Sequence, residues 1–566
     1  MQLRRTKGSH TFARPAASKV GRVSRYTGNT MRKLKYPYLV NLLDPNSIES
    51  RLIIFLMMLA LLARLIPGPR MIDDAFITFR YARNIVQGLG FVYNAGERVL
   101  GTTTPLYTLW MAVLSLVTHT EDYPLLALVT NALADAVSTY LLYHLGKRLS
   151  NSPLVGLAAA LLWAIAPMSV TFAIGGMETS VFILLMLATF TAHLERRPYL
   201  TATLAALSFL TRPDAVLIVA LVFGQLLWEN VKCRISNLGT AREYAKSQGG
   251  HLRFEILYLV FVFLLVIAPW IIFATAYFGS PIPQSVSAKS LAYHLSPEAG
   301  LGRLIQHFSV PFFESDVLDL GGLIRLVIYL TLYLAATLAA FRRDSRSLPL
   351  LAYPPLYAAA FAVGNPLIFR WYLAPPLPTY FMGILLGIWQ ISNLQSPISN
   401  LRLGIGNWIL GAVVAILLVT SLHAWTLHPD HGPGRPAPKM AYIQLELLYH
   451  KVAADLKPQV NPDTVIAAGD IGALGYDTGA HILDTLGLIS PQTLRYYPLD
   501  PNLYVINYAM SPQLILDQQP DWIVSPEVYI RNGLLKEAHF QAQYQLFETL
   551  PTDIYGSQGL MVFRRK

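Results

Sequence analysis

The residues in this chain best suited to chemistry are two adjacent carboxylates. Asp73 and Asp74 stand in M-I-D-D-A-F-I-T-F-R-Y-A-R-N, where an apolar run has ended and a new helix begins. Neighbouring carboxylates repel, so the pair needs Arg80, Arg83 or a metal ion close by. One use is structural: an N-cap plus a first-turn acid, which the positive end of a helix favours. The other is catalytic: a paired-acid site at a membrane surface suits removal of a proton from a sugar hydroxyl. On helical spacing Ile77, Tyr81 and Ile85 form one apolar stripe, and Asp73, Arg80 and Asn84 share another side.

A membrane bundle must position these residues. The chain has 566 residues, 54% hydrophobic and 14% charged, against about 25% charged in soluble proteins. That excludes a soluble enzyme and a disordered chain. A single cysteine, Cys233, excludes a disulfide scaffold. Apolar runs of roughly spanning kind lie near 52–67, 123–146, 153–173, 178–194, 199–211, 214–229, 254–276, 319–340, 348–364, 371–390 and 405–425. A further run, 105–118, is ambiguous.

Charge bias classifies it. The net charge of +11 is concentrated in residues 1–51, which hold eleven Lys and Arg against Asp44 and Glu49. Basic flanks stay cytoplasmic, so this segment is expected to be a disordered cytoplasmic tail that binds no nucleic acid. If 105–118 does not cross, Lys147/Arg148, Arg196/Arg197, the Lys232–Arg253 loop and Arg342/Arg343/Arg346 all fall on the same cytoplasmic side. The run is therefore expected to be a juxtamembrane or re-entrant helix on the outer side. Eleven spans then place the C-terminus outside. The outer tail from 426 has 14 acidic and 10 basic residues. Strand-like runs (464–468, 522–524, 560–563) alternate there with helix-like ones (441–456, 511–518), which predicts a small α/β domain.

Asp-Asp-Ala-Phe-Ile-Thr-Phe-Arg-Tyr-Ala-Arg-Asn, then Gly90-Phe91-Val92-Tyr93-Asn94-Ala95-Gly96-Glu97 and Thr103-Thr104-Pro105-Leu106, resemble the first outer loop of GT-C glycosyltransferases. Within that superfamily the chain is most similar to bacterial arabinofuranosyltransferase-like membrane proteins, kin of the mycobacterial terminal arabinosyltransferase. The tail segment A-A-G-D-I-G-A-L-G-Y-D-T-G shares the likeness, which covers most of residues 50–530. The resemblance implies a polytopic, mainly α protein with a catalytic region at 52–425 and an extracytoplasmic α/β domain at 426–566. It further implies a polyprenyl-phosphate-linked sugar donor (arabinofuranose, mannose or a related sugar), an inverting transfer, and a glycan, lipid or protein acceptor. The expected location is the inner (plasma) membrane, with membrane lipids as the surroundings.

The family's acidic pair matches Asp73 and Asp74, the first implied as catalytic base and the second as an orienting group. Glu178, in G-G-M-E-T, falls where relatives place another acid, and Asp74 with Glu178 would hold a divalent metal ion if one is used. Its alternative is a plain helix-start carboxylate. Arg80 and Glu97 of the same outer loop join the expected substrate contacts. Arg212 and Asp214, in L-T-R-P-D, match a family signature or simply close a helix pair. Lys289, and Arg370 with Tyr372 in R-W-Y, are implied phosphate partners; interfacial snorkelling is the alternative for the two cations. The metal-associated His of some relatives has no clear match, although His294 and His307 lie in the right loop. The residue after Gly101, often aromatic in relatives, is Thr102.

Gly469, Gly472 and Gly475 follow a predicted strand, but G-x-x-G-x-x-G is not dinucleotide spacing, and no nucleotide cofactor is expected. A lipid or glycan flippase is a rival reading. It would use mid-membrane charges such as Arg64, Asp135 and His144. A non-catalytic cell-envelope assembly protein is another.

Overall fold

Each apolar run becomes a helix. The computed structural model describes residues 47–236, 242–293, 296–311, 320–364, 366–393, 405–424 and 441–566. The basic segment up to residue 46, His294 and the side chains of Cys233 and Arg370 lie outside the described residues. The helices Ile48–Leu65, Tyr123–Ser150, Pro153–Ile165 with Pro167–Ile174, Thr179–Leu194, Pro198–Thr211, Val216–Ser236, Arg242–Phe278, Leu320–Arg343, Leu348–Gly364, Leu377–Ser392 and Ile405–Ala424 coincide with the runs. Among the described residues, five helices are long and apolar enough to cross a membrane. The Pro153–Ile165 and Pro167–Ile174 pair, bent by 49°, makes a sixth. Pro167 causes the bend, because it cannot donate the N–H that would continue the first helix. Thr179–Leu194, Pro198–Thr211 and Leu377–Ser392 are apolar but shorter.

Residues Arg51–Lys566 form one compact unit. Arg64 and Asp135, which a transport path would need free, are fully buried against each other at 2.9 Å. Arg64 also donates to the Ala60 carbonyl at 3.0 Å, and Ser180 donates to Asp135 at 3.1 Å. The pair is thus a closed polar knot between helices. His144 is likewise paired, with Glu195 at 3.2 Å.

The basic loops gather at one end of the bundle. Glu195 also takes Arg197 at 3.0 Å, Arg346 pairs with Glu229 at 3.2 Å, and Arg148 and Arg343 line one cleft. The helix Pro105–Thr118 starts and finishes at the other end. Its N-cap Thr104 lines the large cavity described below, and just beyond its C-terminus the Glu121 carbonyl accepts the Tyr476 hydroxyl at 3.1 Å. Both of its ends therefore face the C-terminal domain, as the charge bias predicts for a helix that does not cross.

That domain is built on a five-stranded sheet of order β2-β1-β3-β5-β4. The strands are β1 (Val465–Ala468), β2 (His481–Asp484), β3 (Trp522–Pro526), β4 (Tyr544–Leu550) and β5 (Leu560–Arg565). β1 runs parallel to β2 and β3, and β5 is antiparallel to β3 and β4. β3 is buried at every position, as expected of a central strand covered on both faces. The helix Ala441–Leu456 packs on the short helix Gly472–Thr478. There His450 bridges Asp477 and Glu446.

Candidate active site

Most of the first-loop motif serves to hold the C-terminal domain. The helix Asp73–Val86 lies against Gly472–Thr478. Both oxygens of Asp73 are engaged, accepting the backbone N–H of Gly472 and of Ala473 at 2.8 Å each. Arg80 is buried and donates to the carbonyls of Gly475 (2.8 Å) and Ala480 (2.7 Å), with its guanidinium 4.2 Å from the Tyr93 ring centroid. Arg83 donates to the Tyr476 carbonyl at 2.9 Å. The Asn94 amide donates to the Ile482 carbonyl and accepts its N–H, so it completes the outer edge of β2. Glu97 accepts from Asn94 at 2.9 Å and faces His481 at 3.6 Å.

The tail glycines answer this contact. A Cβ on Gly472 would lie 1.8 Å from the Asp73 carbonyl oxygen, and one on Gly475 would lie 2.0 Å from the Tyr93 hydroxyl. Their spacing lets one helix dock on another at backbone distance. Burial, then the Asp470 charge, push the Asp73 carboxyl up to about 8, against its two backbone hydrogen bonds.

Asp74 points elsewhere. It lines a cavity of about 630 Å³ together with Glu178, Arg212, Asp214, Lys289 and Tyr372. Two ion-pair systems line it, and both touch Tyr372. In one, Arg212 contacts Glu178 at 3.0 Å and grips Asp214 with Nε and Nη2 at 3.0 Å each. The Tyr357 hydroxyl lies 3.0 Å from Asp214 and 2.6 Å from the Tyr372 carbonyl, with one proton to share between these two acceptors, and so sits between Asp214 and the turn bearing Tyr372. In the other, Lys289 lies 3.5 Å from Asp74 and donates to the Tyr372 hydroxyl at 3.0 Å. Burial works against the Lys289 ammonium, yet Tyr372 and then Asp74 raise it above the usual lysine range. Lys289 and Asp74 are 27% and 29% exposed, so this pair is the one open to a ligand. The buried Arg212 system is the frame.

The hydroxyls of Thr78, Thr102 and Thr104 form a chain on the same wall, at 3.4 and 3.1 Å. Leu488, from the C-terminal domain, also lines the cavity. It is held by Asp484, whose carboxylate accepts the N–H groups of Leu486 (2.8 Å) and Ile489 (3.0 Å).

Three expectations need correction. Asp73, Arg80 and Glu97 do not line this cavity; Asp73 and Arg80 are spent on the C-terminal domain, and Glu97 is held by Asn94 of its own loop, with His481 at 3.6 Å. Asp74, Glu178, Arg212, Asp214, Lys289 and Tyr372 do come together. Arg370 opens the turn that carries Tyr372. The threonine chain and Tyr357 were not singled out in the sequence, although the Thr102-Thr103-Thr104 run beside Pro105 was a visible signal. Asp470 was also missed. It accepts the Tyr449 hydroxyl at 3.1 Å, and burial, with the Asp74 charge adding, pushes it up to about 6 against that bond. Among the described residues no three His, Cys, Asp or Glu side chains gather in a metal-ligand arrangement. A metal ion between Asp74 and Glu178 would have to open their pairs with Lys289 and Arg212, so the donor set does not fit one.

Comparison with solved structures finds the same architecture in ArnT from Cupriavidus metallidurans bound to undecaprenyl phosphate. The TM-score is 0.51 at 12% identity, over 91% of this chain and 97% of that one. The fold is GT-C-like. A GT-C-like bundle with several long apolar helices makes this a multi-pass membrane protein. Residues 439–563 match a sequence family described only as a domain of unknown function, DUF8728. No curated protein matches the sequence.

Proposed function

We propose that this GT-C-like protein is a membrane glycosyltransferase that moves a sugar from a polyprenyl-phosphate carrier to an extracytoplasmic glycan, lipid or protein. The observation that carries the reading is the open Lys289–Asp74 pair in the cavity. The likeness to a protein whose structure holds undecaprenyl phosphate supports the carrier class. An incoming phosphate competes with Asp74 for the Lys289 ammonium, and Arg370, on sequence grounds, adds a second phosphate contact. Asp74 is then free to take a proton. In the transfer, Asp74 removes the proton from the acceptor hydroxyl as its oxygen attacks the anomeric carbon. The bond from that carbon to the phosphate oxygen breaks, and its electron pair leaves with the carrier phosphate. One displacement inverts the centre. Glu178 and Asp214 set the negative potential that an oxocarbenium-like transition state favours, and the threonine chain offers partners to sugar hydroxyls.

The base is thus Asp74 rather than Asp73, because Asp73 has no free oxygen. Arabinofuranose, mannose and related sugars are the donors proposed. The membrane is the inner (plasma) membrane, with the basic N-terminus cytoplasmic and the C-terminal domain outside. The test incubates the purified full chain with a panel of polyprenyl-phosphate sugars and an envelope-derived acceptor mixture. Acceptor-dependent release of polyprenyl phosphate is expected. Movement of lipid between leaflets without bond cleavage would overturn the proposal in favour of a flippase.

A further inference from the structure

A second cavity, of about 160 Å³, opens at the basic end of the bundle. It lies where the helices Tyr123–Ser150 and Leu320–Arg343 end beside the last turn of Leu377–Ser392. Ala336, Ala339 and Ala340, at i, i+3 and i+4 on one helix face, leave the space, and Leu351 and Leu386 complete an apolar inner wall. Arg148, Arg343 and Gln390 stand around the cavity with Trp389. Arg148 and Arg343 are exposed and have no hydrogen bond or ion pair among the described residues. Asp344 is the one carboxylate on the described wall, and its Oδ1 is committed to the Arg346 N–H at 3.1 Å.

We propose that this cleft binds the phosphate headgroup of an anionic membrane lipid. The two arginines take the phosphate oxygens, the Gln390 amide adds a donor, and an acyl chain runs along the alanine face. Three features point to a lipid rather than a soluble anion. One side of the lining is apolar (the alanine face with Leu351 and Leu386) beside a polar side with Ser150, Asn151 and Ser347, the cleft lies between apolar helices, and a tryptophan stands beside the cations, as is usual at a bilayer interface. The inference is independent of the glycosyltransferase reading.

The full-length protein, stripped of native lipid in detergent, is titrated with phosphatidylglycerol in a phosphatidylcholine background. Bound lipid is counted by native mass spectrometry. Saturable binding is expected in the wild type. Affinity should be about 30-fold weaker in the Arg148→Gln/Arg343→Gln variant, the loss expected of two basic residues at an anionic surface. Ala340→Phe fills the groove with both arginines intact and should lose binding as well, whereas Arg342→Gln should retain it. Equal binding in the double variant and the wild type overturns the site. Full binding in Ala340→Phe, or an equal loss in Arg342→Gln, overturns it in favour of diffuse surface charge. Inorganic phosphate that displaces the lipid and stabilises the protein equally overturns the lipid assignment. Should the double variant not fold, judged by its melting in phosphatidylcholine alone, Ala340→Phe and single Arg148→Gln carry the same test.

Discussion

Arg80→Ala separates a docking role from a substrate role. The wild-type guanidinium is 4% exposed, donates two hydrogen bonds of 2.8 and 2.7 Å to carbonyls of the C-terminal domain, and stacks 4.2 Å from Tyr93. Truncation leaves both carbonyls unpaired and removes the stack. A charged hydrogen bond is worth roughly 1.5–3 kcal/mol and a desolvated cation–π contact roughly 1–2 kcal/mol. Relief of burying the cation offsets part of that sum, so the net cost of docking is about 3 kcal/mol. Docking should then weaken about a hundredfold. The assay is limited proteolysis of the C-terminal domain in detergent, followed alongside thermal unfolding. The variant should be cut faster and melt several degrees lower. It should lose transfer through a lower kcat, because the C-terminal domain no longer holds Leu488 on the cavity wall. An unchanged melting point and cleavage rate with a raised donor KM would refute this reasoning and restore Arg80 as a substrate contact.

Asp74→Asn should lower transfer by about 10²–10⁴-fold, the usual worth of a general base, with proteolysis unchanged. Asp73→Asn should keep transfer within about tenfold; the reverse pattern, read from polyprenyl phosphate release, would return the base to Asp73. Arg212→Lys keeps the charge but cannot reach Glu178 and Asp214 together, so it should destabilise by about 3 kcal/mol or more, seen as a lower melting point that Glu178→Gln only partly shares. The C-terminal domain should loosen as pH rises. Burial works to lower His450, but Asp477 and Glu446 hold it up at about 10, from an ordinary 6.5. Its folded state therefore keeps a proton that the unfolded chain has released. The stabilisation is complete below about 6.5 and is lost as pH climbs through about 10. Asp73, up at about 8 from 3.8, carries the same sign over its lower window. Melting points between pH 6 and 10 should fall in the wild type, and in His450→Gln the fall above about pH 8 should flatten while the Asp73 part below it remains; a rise with pH would refute the assignment.

The apolar helices and three of the five C-terminal strands, β1, β3 and β5, were legible, because each rests on local information, whereas β2 and β4 were not singled out. A run of apolar residues is helical in a bilayer whatever lies beyond it, and a basic loop declares its side by its own charge. Six of the expected site residues also assembled, each standing at or near a helix end or in a loop that the spans bring to one side.

Asp73 and Asp74 mark the boundary of that legibility. They are chemically identical neighbours, and the sequence determined that a carboxylate pair begins a helix on the side of the C-terminal domain. Successive helical residues point about 100° apart, so only one of the pair can face the cavity. Which one depends on a helix about 400 residues further on, whose N–H groups hold Asp73. Arg80 misled for the same reason, since a charged side chain in a loop motif looks alike whether its partner is a ligand or a distant carbonyl. The amino-acid sequence alone determined the helical bundle and a pair of acids at the start of a helix. Tertiary docking decided which of those acids is free to react, because hydrogen-bond partners are set by approach in space and not by spacing along the chain.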